Sequence, residues 1–154
     1  MKLAAALALA LAGCEVGETC EEDSRAQRLD EHARVLVGEL EIVAELADQA
    51  HERERGWMHR RCDLDALLLV ADEPASELAI WGCALAVPLD VWFVAEGRVI
   101  EHAELEPCAE PCGACPLLGE GSKVDAVLEA PRGELAIAVG DAIDYQPDLT
   151  ADRG

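Results

Sequence analysis

Cys108, Cys112 and Cys115 stand in the spacing Cys-x₃-Cys-x₂-Cys. One loop of that spacing can offer three thiolates to one iron–sulfur cluster. Zinc is a second chemistry for the same thiols, with His102 as a fourth ligand. Cys112-x-x-Cys115 alone has the spacing of a redox pair, but such pairs sit at the start of a helix in a βαβ frame, which is absent around this motif. Disulfides are the remaining chemistry, and they need an oxidising compartment. Two acids stand apart from the rest. Asp90 follows Pro88-Leu89 at the entry to an apolar run, where a carboxylate either accepts backbone N–H groups or serves as a site acid; the structural role is favoured. Glu129 lies inside an apolar run and, if buried, needs a partner. Arg53, Arg55, Arg60 and Arg61 gather four of the 12 basic residues in nine positions. They could hold an anion, but in so acidic a chain pairing with nearby carboxylates is the favoured reading. His59 among them reads as a lone surface histidine, because no second His, Ser or nucleophilic Cys stands at motif spacing. Trp57, Trp81, Trp92 and Phe93 are four of the five aromatics and are expected in the core rather than along a groove.

Which cysteine chemistry applies depends on where the chain goes. Behind Lys2 run ten apolar residues, Leu3 to Ala12. A membrane-spanning helix needs about 20, so the run suits the core of a secretory signal peptide. It ends in Leu11-Ala12-Gly13-Cys14, which resembles a bacterial lipobox, with Cys14 as the acylated residue. The alternative is ordinary cleavage after Ala12. Parity favours acylation. Of seven cysteines, using Cys14 for lipid leaves Cys20, Cys62, Cys83, Cys108, Cys112 and Cys115, an even set for disulfides. At least one bridge is expected inside the loop from Cys108 to Cys115, which Pro107, Pro111, Gly113 and Pro116 make turn-rich. Glu15 stands where an Asp often retains lipoproteins at the inner membrane, so the outer membrane is favoured.

Charge removes several functions. The chain has 154 residues, 12 basic and 32 acidic, for a net charge of −20. A nucleic-acid partner requires a Lys/Arg surface that neutralises phosphates, and an anionic lipid surface requires the same. Yet 51% of residues are hydrophobic, too many for a disordered acidic chain. The length fits one domain.

The elements that would position these groups are short. Residues 1–13 are read as the signal peptide, 14–34 as an acidic tether, 35–146 as the domain and 147–154 as a frayed tail. Arg25 to Leu36 carries Leu29, Ala33 and Leu36 at helical spacing and predicts a short helix. Strands are expected over Leu40–Leu46, Leu67–Val70, Leu78–Trp81, Val91–Val94, Val99–Ile100 and Val124–Leu128, with a last short one after Gly140. Asp48 is the expected cap of a short helix ended by Gly56. Ala95-Glu96-Gly97-Arg98 predicts a hairpin turn. Many short strands with turns between them imply a mostly β fold, a compact antiparallel sandwich or barrel with one or two short helices.

Several of these segments together resemble one family. Leu46-Ala47-Asp48 with Glu54-Arg55-Gly56-Trp57-Met58, Trp81, Val87-Pro88-Leu89-Asp90-Val91-Trp92-Phe93-Val94, Gly97-Arg98-Val99-Ile100, Pro107-Cys108 with Pro111-Cys112, Val127-Leu128-Glu129 and Val139-Gly140-Asp141 are similar, in order, to the motifs of domain of unknown function 192. That family comprises small, frequently exported prokaryotic proteins. The resemblance covers about Val35 to Tyr145 and implies a compact β-sandwich of jelly-roll type. Motif order also suggests a pocket around Arg55, Trp81, Asp90 and Glu129, with Arg55 as a partner for Glu129. Where the family carries Met-Lys-Asn-Thr, this chain has Gly82-Cys83-Ala84-Leu85, so polar candidates for a family site are lost.

The expectation is an envelope-anchored lipoprotein whose disulfide-bridged β-domain binds or supports rather than catalyses. No cofactor, metal or nucleic acid is implied. The membrane is reached through the lipid, and an envelope protein or a small molecule is the partner. The alternative is a divergent enzyme or metal-binding protein using the pocket around Trp81, Asp90 and Arg55.

Overall fold

Ala33, Val35 and Val37 are buried and alternate with the exposed Arg34 and Leu36, so His32–Val37 buries one side as strand β1 rather than continuing the helix expected from Arg25 to Leu36. The computed structural model describes residues 20–63 and 65–147. Gly38, at φ +60°, opens the two-residue turn that sets Val37 opposite Leu40. Strand β2 (Leu40–Ala47) leads into helix α1 (Ala50–Arg55). The cap is Gln49 rather than Asp48: Glu52 Oε2 accepts from Gln49 N–H at 3.0 Å, and Asp48 accepts from the Gln49 side chain at 2.9 Å.

The remaining strands are β3 (Ala66–Val70), β4 (Ser76–Glu77), β5 (Ile80–Trp81), β6 (Leu89–Ala95), β7 (Arg98–Leu105), β8 (Leu117–Leu118), β9 (Lys123–Val124), β10 (Ala126–Pro131) and β11 (Ile143–Pro147). Seven form one sheet in the order β11-β1-β2-β3-β10-β6-β7; β4 pairs with β9 and β5 with β8. The expected hairpin joins β6 to β7, with Glu96 and Gly97 both at positive φ. One pairing departs from the antiparallel expectation. β2 and β3 run parallel, because the connection through α1 crosses one face and returns the chain to its starting end. The predicted strand Leu78–Trp81 shrinks to Ile80–Trp81. Val124–Leu128 is interrupted at Asp125, whose carboxylate accepts from the N–H groups of Ala75 and Glu96.

The sheet curls until its two edges meet. Gly140 N–H donates to Val99 O at 2.8 Å and Ile143 N–H to Gly97 O at 3.0 Å, joining the start of β7 to the entry of β11. Apolar side chains then pack on both faces, as in a sandwich. One cluster holds Val35, Leu46, Leu68, Trp92 and Leu128. The other holds Trp57, Leu67, Leu69, Val91 and Phe93, covered by α1 and the β4–β5 segment. The mostly β class agrees with the expectation.

The domain also starts earlier than Val35, and from Cys20 onward the predicted tether is not free. Gln27 is buried and donates through its side chain to Glu52 O at 2.8 Å and Gly56 O at 3.0 Å. Leu29 N–H donates to Glu45 at 2.9 Å. Composition alone obscured this, because the anchoring bonds are polar. Residues 14–19, including Cys14, and the tail from 148 lie outside the described residues.

Candidate functional site

A cavity of about 340 Å³ opens between α1 with Gly56–Met58 on one side and Leu78–Trp81 on the other. Its floor is the sheet face that carries Leu69, Leu89 and Leu105. Most of the wall is apolar, and the exception at depth is Glu129, only 3% exposed. Pairing places Glu129 on β10 between Leu67 of β3 and Val91 of β6. Burial pushes its pKa up to about 8, the Arg60 guanidinium acting in the opposite direction. No hydrogen bond from the described residues stabilises the ionised form, so at neutral pH Glu129 is a carboxylic acid facing an apolar space. Gly56 roofs it: a Cβ there would stand 4.0 Å from Glu129 Oε2.

The structure divides the four residues expected to share a pocket. Arg55, Trp81 and Glu129 line this cavity. Asp90 does not. Glu129 pairs with Val91, and side chains alternate along a strand, so the neighbouring Asp90 points to the opposite face. There its Oδ2 accepts from Gly133 N–H at 2.8 Å and its Oδ1 lies 3.0 Å from His102 Nε2, whose ring stacks on Trp92. Arg55 is exposed at the rim and forms no ion pair with Glu129. Trp81 is half-buried and donates from Nε1 to Glu54 O at 3.3 Å.

The buried arginine is instead Arg60, 1% exposed. It pairs with Glu45, donates from Nε to Gln27 O at 3.0 Å and lies 5.3 Å from the Trp57 ring centroid. Sequence reasoning placed Arg60 among the arginines that pair with carboxylates, as it does here, but missed its burial and its partner; their one signal is an acid inside the apolar run Ile42–Ala47. Two of the other arginines do meet carboxylates, Arg53 at 2.6 Å from Asp72 and Arg61 at 4.0 Å from Asp23. Trp57 Nε1 is buried without a partner among the described residues. The aromatics do not share one core: Trp92 packs on one face, Trp57 and Phe93 on the other.

The six remaining cysteines fall into three pairs at disulfide distance: Cys20 with Cys62, Cys83 with Cys112 and Cys108 with Cys115. Their Cα atoms are 5.8, 5.3 and 5.8 Å apart, in the range a disulfide spans. The first pair ties the N-terminal segment to the turn after α1. The third lies within the loop from Pro107 to Pro116, and the second joins that loop to Gly82–Leu85. Backbone bonds do the same: Cys108 N–H donates to Gly82 O at 2.7 Å and Ala84 N–H to Cys108 O at 2.8 Å. The segment that lacks the family's Lys, Asn and Thr thus carries half of a cysteine pair. His59 lines a second, more open cleft with Asp23, Arg25 and Arg61. Among the described residues no group of three or more His, Cys, Asp or Glu is placed to hold a metal ion, and no helix is long and apolar enough to cross a membrane.

The family model of domain of unknown function 192, described as uncharacterized ACR, matches residues 33–145. No curated protein matches the chain. Two crystal structures share the fold. One, from Sinorhizobium meliloti 1021, bears the description "putative transcription regulator"; it is 24% identical, with a TM-score of 0.61 over 75% of this chain and 92% of that one. The other is a protein of unknown function from Novosphingobium aromaticivorans DSM 12444, 25% identical, with a TM-score of 0.58 over 73% of this chain and 83% of that one. The chain belongs to the domain of unknown function 192 family.

Proposed function

We propose that this domain of unknown function 192 protein is an exported, lipid-anchored β-domain, held by three disulfides, that binds a small molecule in the cavity beneath α1 without transforming it. The observation that carries the binding reading is Glu129, a buried acid with no hydrogen bond from the described residues, set at the depth of a cavity whose other charged groups, Arg53, Glu54, Arg55 and Glu77, belong to its outer wall. A fold retains such a group at a cost in stability, and a cavity with few polar groups at defined positions is the usual form of a small-ligand site.

Export is supported by the apolar run behind Lys2 and by Leu11-Ala12-Gly13-Cys14. The disulfides are supported by parity once Cys14 is acylated, and by six cysteines standing in three pairs. A net charge of −20 argues against a nucleic-acid partner. The catalytic alternative loses its main acid, since Asp90 stands on the far face with both oxygens engaged.

Full-length protein expressed in a bacterial host with an alkyne analogue of palmitate tests the anchor. Wild type takes up the label and fractionates with membranes; Cys14→Ser does neither and retains its leader or becomes soluble. Equal labelling of the two, or none in wild type, contradicts lipidation.

A further inference from the structure

We infer that the cavity takes a small, uncharged molecule with a flat apolar body and one accepting oxygen, a ketone or ester carbonyl, which accepts a hydrogen bond from the Glu129 carboxyl. This rests on the reading of the cavity as a binding site and names the chemistry of its occupant.

Three observations lead to that class. Trp57, Leu69, Ile80, Trp81 and Leu89 make walls that fit an apolar body, and about 340 Å³ is at the small end of ligand pockets. Glu129 holds its proton at neutral pH and has no acceptor among the described residues, so it has a donor to offer. A carbonyl oxygen meets that donor without requiring any charge in the apolar space. A cation would have to ionise Glu129 inside the apolar space, and the rim offers it no net attraction, because Glu54 and Glu77 are balanced there by Arg53 and Arg55. An anion would need a buried cation, but of the two lining arginines Arg53 is paired with Asp72 and Arg55 is exposed at the rim, while the buried Arg60 is paired with Glu45.

The test uses the full chain and four probes sharing one ring: 2-acetylnaphthalene, 2-methylnaphthalene, 2-naphthoate and 2-naphthylmethylammonium, each measured by equilibrium dialysis at pH 7. The ketone is expected to bind at least tenfold more tightly than the other three. Glu129→Leu, which matches the apolar surroundings, should bring the ketone down to the level of the methyl compound. Glu129→Gln, which keeps an N–H donor, should retain most of the difference. Methylnaphthalene binding as tightly as the ketone would overturn the carbonyl proposal and leave the cavity a binding site. Preference for the carboxylate or the ammonium would overturn the uncharged class. Failure of all four probes to bind at their solubility limits would overturn both the proposal and the cavity reading. A Glu129→Leu variant that keeps the ketone preference would remove Glu129 from recognition.

Discussion

Glu129 makes the stability of this protein depend on pH in a direction opposite to that of most carboxylates. An ordinary Glu titrates near 4.5 when unfolded, whereas burial holds this one near 8. The folded state therefore keeps a proton that the unfolded state has lost. Its contribution is fully present below pH 4.5, falls as pH rises, and is gone once pH passes about 8. At about 1.4 kcal/mol per pH unit the total is on the order of 5 kcal/mol. Glu129→Gln should remove this slope: its stability relative to wild type, from urea unfolding, should rise between pH 5 and 8 and then level off. A difference independent of pH would mean that Glu129 is solvated. Glu45 gives the complementary case. Glu45→Ala would leave Arg60 buried and unpaired, and a loss of about 3 to 5 kcal/mol is expected. Replacing both by Leu and Met should recover most of it, whereas equal losses in the single and double variants would show that the pair is not isolated from water. At this scale the acids were legible as exceptions in apolar runs. What each faced was not, because one position along a strand moves a carboxylate from one face to the other, as it does between Asp90 and Glu129.

Where one periodicity dominated, the elements were legible. The expected strands Leu40–Leu46, Leu67–Val70 and Val91–Val94 fall within β2, β3 and β6, which extend one to three residues further. Arg25–Leu36 carried two patterns at once: Leu29, Ala33 and Leu36 at helical spacing, and Ala33, Val35 and Val37 in alternation. The second prevailed because β1 completes backbone pairing with both β2 and β11, which a helix there would forfeit. The parallel step from β2 to β3 left no local mark, since it depends on where α1 carries the chain. β4, β5, β8 and β9 are two residues each, too short to show a period. Gly119 illustrates how such a short ribbon is seated. It adopts φ +76°, and a Cβ on it would stand 2.8 Å from Phe93 Cζ while overlapping Cε1. Gly119→Ala should cost about 3 kcal/mol, from backbone strain and a crowded core together. Gly121→Ala, at φ +78° with nothing within 4 Å, should cost only the strain, about 1 kcal/mol. Equal thermal shifts in the two variants would show that Phe93 yields without cost.

For the molecule as a whole, charge and cysteines matter more than any single element. Thirty-two acidic residues against 12 basic ones disfavour phosphates and anionic surfaces, so the membrane attachment proposed above requires a covalent lipid rather than a basic patch. The cysteine pairs stand at disulfide distance in the two regions least supported by the sheet, the N-terminal segment and the loop from Pro107 to Pro116. Their pairing was beyond the sequence, where six cysteines allow about 15 arrangements; their even number was not. The proposed lipid and the proposed disulfides both require that the chain leaves the cytoplasm. Intact mass of the full-length gene product, purified from bacterial membranes and alkylated without reductant, tests that directly. The prediction is a chain beginning at Cys14, heavier by its lipid, with none of the six other cysteines alkylated. A chain that still begins at Met1 and carries alkylated cysteines would contradict it.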